Sequence, residues 1–77
     1  MKKLYLVTLV AEYWNNGNKV SVDIELNDLE CEPKDVAVNV QKLSNRYLDK
    51  IKDQDRRIEG VSGYVYISLA SATVTEL

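Results

Sequence analysis

Few side chains in this sequence could carry a reaction. The chain has one cysteine, Cys31, and no histidine. Cys31 lies just before a predicted helix start and is flanked by Glu30 and Glu32. Without an imidazole to act as base, a cysteine nucleophile has no activating partner. The common zinc sets are missing for the same reason, and a lone cysteine closes no internal disulfide. Carboxylates are crowded: Asp23, Glu25, Asp28, Glu30, Glu32 and Asp35 occupy residues 23–35 with only Lys34 against them. They fall on an exposed edge and loop rather than in a cleft. That placement suits a basic partner surface steered in by opposite charge better than it suits acid–base catalysis. Gly60 and Gly63 lack the spacing and the basic residue of a phosphate-cradling loop. Arg56-Arg57 reads as a complement to the negative end of a helix dipole. No catalytic residue, no metal and no cofactor is expected.

The remaining recognition chemistry is aromatic and apolar. Trp14, Tyr64 and Tyr66 are of the types enriched in interface hot spots. The same rings could stack single-stranded bases. Gly63-Tyr64-Val65-Tyr66 resembles the aromatic strand of RNA-recognition domains over these four residues. That resemblance implies base stacking, although the βαββαβ order of that family is absent.

Position depends first on a hairpin. Asn16-Gly17 is the signature of a two-residue type I′ loop. Such a loop sets the register. It predicts Tyr13 opposite Val20, Ala11 opposite Val22, Leu9 opposite Ile24 and Val7 opposite Leu26, all apolar and all on one face. The other face then carries Asp23 and Glu25 beside Val10 and Thr8. The strands are expected over 3–14 and 18–27, the first of them apolar on both sides and therefore central.

A helix follows, with Pro33 suited to its first position and Asp35 near its positive end. Val36, Val40, Leu43, Tyr47 and Ile51 form one apolar stripe, widened by Leu48. The helix should stop around residues 52–55. Residues 58–63 connect to a third strand, Tyr64–Leu69, which the tail from Ala70 could extend. Val65, Ile67 and Leu69 would face the helix, and Tyr64, Tyr66 and Ser68 would face outward. A right-handed crossover places this strand beside the first. The expected fold is α+β, ββαβ: a three-stranded antiparallel sheet in the order 2-1-3 with one helix on one face, a single small domain over residues 1–77.

At 77 residues the core is thin, since a chain this size buries only about 60% of the surface it exposes when unfolded. Leu4, Leu6, Val10 and Trp14, with Tyr64 and Tyr66, would remain on the uncovered sheet face, and such a patch marks a partner site. Together with Asp28, Glu30 and Glu32 they are the expected partner-binding residues. A homodimer is the simplest occupant, and exchange of the tail between copies is a further route to one. The net charge of −2 argues against general nucleic-acid binding. The apolar run after Lys2-Lys3 is broken by Thr8 and Glu12 and has no cleavage site. No stretch nears the roughly 18 apolar residues of a membrane span. The chain reads as a mature cytoplasmic protein that does not engage membranes. Its expected role is that of a small regulatory or inhibitory accessory protein that binds another protein. In general character it resembles phage-encoded accessory proteins, including inhibitors of bacterial defence systems; the likeness is of type, with no family signature behind it. Single-stranded nucleic-acid binding through the sheet-face aromatics is the alternative.

Overall fold

The computed structural model describes residues 1–53 and 65–77. Strands β1 (Lys3–Asn15) and β2 (Asn18–Cys31) are followed by a 3-10 turn at Pro33–Asp35, helix α1 (Val36–Asp53) and strand β3 (Tyr66–Glu76). The sheet is antiparallel in the order β2-β1-β3, so the expected ββαβ topology is the observed one. The connector 58–63, Arg56-Arg57 and Tyr64 lie outside the described residues.

The hairpin tip is as expected. Asn16 (φ 53°) and Gly17 (φ 80°) both take positive φ, as a type I′ loop requires. Trp14 pairs with Lys19, the partner the tip register predicts. One residue later the prediction fails. Tyr13 pairs with Ser21, leaving Val20 unpaired in a bulge. From there on Leu9 lies opposite Glu25, not Ile24, and Ala11 opposite Asp23, not Val22. Val7 pairs with Asn27 rather than Leu26. Strand side chains alternate with a period of two, so one inserted residue moves the whole remainder of β2 to the opposite face.

Val7, Leu9 and Ala11 of β1 are fully buried and form the core with Tyr47 and Ile51 of α1. Ile67 and Leu69 of β3 pack against this cluster, as expected from their alternation. The helical stripe also holds: Val36, Val40, Leu43 and Leu48 are half-buried, and Tyr47 and Ile51 are buried. Ser44 completes it, one turn beyond Val40, and its hydroxyl donates to the Val40 carbonyl at 2.8 Å. Pro33 opens the 3-10 turn at its first positions, with Asp35 in the same turn.

Helix and sheet differ in length. Eighteen helical residues span about 27 Å, whereas the 13 of β1 span about 43 Å. One helix therefore cannot cover the whole of its face, and residues 70–77 are exposed. β3 has its own bulge at Ala70, since Val10 pairs with Ser71 and Ala11 with Leu69.

Candidate functional site

The β2 bulge decides what the two sheet faces carry. Asp23 and Glu25 point toward α1, contrary to the expected register. The Tyr47 hydroxyl donates to Asp23 Oδ2 at 2.9 Å, and Lys50 Nζ reaches Glu25 Oε1 at 2.9 Å. Asn27 Nδ2 donates to Glu25 Oε2 at 3.2 Å. The Lys50 hydrogen bond, aided by Asn27, holds the Glu25 carboxyl below its ordinary range despite partial desolvation. Burial first, and then the hydrogen bond to Asp23, pushes the Tyr47 phenol well above its ordinary range. The polar side of β2 is thus committed to the helix.

Its apolar side faces away from α1. Val22, Ile24 and Leu26, expected in the core, are 48%, 61% and 63% exposed. They continue the surface of β1, where Val10 pairs with Ile24, Thr8 with Leu26 and Glu12 with Val22. Leu4 is exposed, and Leu6, Val10 and Trp14 are half-buried. Asp28 and Glu30 are exposed on the same face, directly opposite Leu6 and Leu4. On the β3 side the face carries Tyr66, opposite Trp14, and then Ser68, Ser71, Thr73 and Thr75. The helix-free face is therefore divided lengthwise, with a mainly apolar band along β1 and β2, interrupted by Thr8 and Glu12 and ending in Asp28 and Glu30, and a hydroxyl band along β3.

The structure thus brings together Leu4, Leu6, Val10, Trp14, Tyr66, Asp28 and Glu30. Glu32 stands apart as the residue before the 3-10 turn, within 3.5 Å of the chain's amino terminus and of Lys34. Val22, Ile24 and Leu26 are members of the face that sequence reasoning placed elsewhere. A signal for them existed at one position: Val10 points outward from β1, and the shifted register gives it the apolar cross-strand neighbour Ile24 in place of Asp23.

At the hairpin tip, Trp14, Tyr66, Asn16 and Gly17 line an open groove of about 400 Å³. A flat ring could lie in it. Lys19, opposite Trp14, is the one cation among the strand residues of this face, and it pairs with Glu12 at 3.2 Å. Cys31 is a buried free thiol at the end of β2. Among the described residues no group of three or more His, Cys, Asp or Glu side chains could hold a metal ion. No described helix is long and apolar enough to cross a membrane.

No protein-family model matches the sequence, and comparison with curated proteins and with solved structures gave no match.

Proposed function

We propose that this protein is a non-enzymatic protein-binding module, a regulatory or inhibitory accessory protein that works through its helix-free sheet face. One observation carries the reading. β2 turns Val22, Ile24 and Leu26 to solvent and turns Asp23 and Glu25 toward the helix. An isolated domain gains by the reverse arrangement, because burying each such aliphatic side chain is worth about 1.5–3 kcal/mol. The inversion is economical only if something else covers the apolar band. Contiguous exposed apolar surface rimmed by polar groups has this meaning in general.

Stacking of single-stranded nucleic acid in the Trp14–Tyr66 groove is the second reading. The register removes Asp23 and Glu25 from this face, which favours it. The charge that remains opposes it: Lys19 stands against Glu12, Asp28 and Glu30, so phosphate finds no basic track.

The test compares immobilised wild type, Ile24→Asp and Val38→Asp, the last altering an exposed position on α1. The reading expects specific proteins, added soluble copies of this chain included, to be retained by wild type and Val38→Asp and lost with Ile24→Asp. The same retained set on all three overturns it. Binding of a labelled single-stranded oligonucleotide that falls steeply between about 50 and 200 mM salt would replace it with the nucleic-acid reading.

A further inference from the structure

We propose that the occupant of this face is a second copy of the chain, packed sheet on sheet about a twofold axis that crosses the strands at the level of Val10 and Ile24. The inference rests on the protein-binding reading above and names the partner.

Size is the first argument. Strands about 4.8 Å apart and a rise of about 3.3 Å per residue make the face between Leu4 and Trp14 roughly 14 by 33 Å. Two such faces together cover on the order of 1,000 Å² in projection, before side-chain relief is counted, which reaches the size a specific interface needs.

The lengthwise division of the face selects the axis. An axis running along the strands over the central β1, the one that overlays the full width of both faces, would lay β2 over β3, putting Val22, Ile24 and Leu26 on Ser68, Ser71 and Thr73. That buries hydroxyls against aliphatic groups with nothing to bond them. An axis running across the strands lays β2 over β2 and β3 over β3. Val10, Val22, Ile24 and Leu26 then meet apolar groups of the other copy, Glu12, paired with its own Lys19, comes opposite Thr8, and the hydroxyl band meets hydroxyls. Two sheets can stack in this way about 10 Å apart, with strands about 30° from alignment.

Charge agrees with the same axis. Four residues along β1 from Val10 toward the tip stands the Trp14–Lys19 pair; four residues the other way stands Leu6–Asp28. The axis exchanges these two levels. Lys19 of each copy comes within reach of Asp28 of the other, twice per dimer. Trp14 meets Leu6, and Tyr66 meets Thr75. A face carrying one lysine at one end and a carboxylate at the matching distance on the other side complements itself, as a twofold interface must.

Light scattering of the purified full chain at micromolar concentration is the direct measurement. The expected mass is twice the 8.8 kDa of one chain. Ile24→Asp should give a folded monomer by circular dichroism. Asp28→Lys alone, and Lys19→Glu alone, should each weaken association about tenfold, and the double reversal should restore it to within about threefold of wild type. A monomeric wild type overturns the inference while leaving the binding reading to its own capture test. A dimer that survives Ile24→Asp is joined elsewhere, for instance at the uncharged β3 edge, and overturns it too. Failure of the double reversal to restore association overturns the proposed axis.

Discussion

Tyr47 joins the helix to the sheet by its ring and by its hydroxyl. It is 2% exposed, packs among Val7, Leu9, Ala11 and Ile51, and donates to Asp23. Its folded-state pKa lies above the ordinary 10.0 because burial and the neighbouring carboxylate both disfavour the phenolate. Stability that needs the neutral phenol is complete below about pH 10 and is lost as pH rises beyond it. Tyr47→Phe keeps the ring and removes the titration. It should cost about 1–2 kcal/mol at neutral pH by stranding the part-buried Asp23, and it should flatten the alkaline limb of the stability profile. Urea titrations of both proteins across that limb check this; parallel limbs would refute it. Glu25 acts in the opposite direction. Its carboxyl is held below the ordinary 4.5, so its pairing with Lys50 stabilises the fold above that value and is lost as pH falls below it. The pair is partly exposed, so this acid limb should be shallow.

At the scale of elements, the β1–β2 hairpin combines a strict turn with a deliberate irregularity. Asn16 and Gly17 hold positive φ, and open space surrounds the point where a Cβ on Gly17 would lie. Gly17→Ala therefore meets no clash, and its cost is conformational alone, about 1 kcal/mol. Chemical denaturation measures it; a loss several times larger would mean that the tip makes contacts beyond its own backbone geometry. The bulge at Val20 then changes β2 from a strand apolar toward the helix into one polar toward it, while β1 keeps Val7, Leu9 and Ala11 in the core. Without it Asp23 and Glu25 would stand in solvent beside Val10, and Tyr47 and Lys50 would lose their acceptors. The two outer strands differ as edges. β2 carries Lys19, Asp23, Glu25, Asp28 and Glu30, whereas β3 has no charged residue from Tyr66 through Thr75. The Ala70 bulge is the feature that interrupts regular pairing there.

For the whole molecule, a small core and an uncovered apolar band are two sides of one fact. The helix covers only part of one sheet face, and the other face has no described element on it. If a second copy supplies the cover, folding and association are linked by mass action. The melting temperature should then rise by about 3–5 °C for each tenfold increase in protein concentration. In Ile24→Asp the melting temperature should be independent of concentration. Scanning calorimetry over two decades of concentration checks both; a flat wild-type series would contradict the linkage.

The sequence by itself determined the elements and their order. The Asn16-Gly17 turn, the alternation of residues 19–26, the Val36-to-Ile51 stripe and the two-sided apolar character of β1 are local patterns, and each produced the element it announced. The order β2-β1-β3 followed from crossover handedness and from β1 needing cover on both sides. Leu4, Leu6, Val10, Trp14 and Tyr66 were legible as surface for the same reason. Which face of β2 met the helix was not legible. A period of two says which residues share a side but not where that side points, and a single unpaired residue reverses the answer. Local sequence favoured the unbulged register because every pair in it was apolar. The tertiary structure favoured the other because α1 brings the Tyr47 hydroxyl and the Lys50 ammonium over β2, where Asp23 and Glu25 can accept them. Those partners lie 24 and 25 residues away along the chain. Only their meeting in space gave the half-buried carboxylates partners and turned Val22, Ile24 and Leu26 outward.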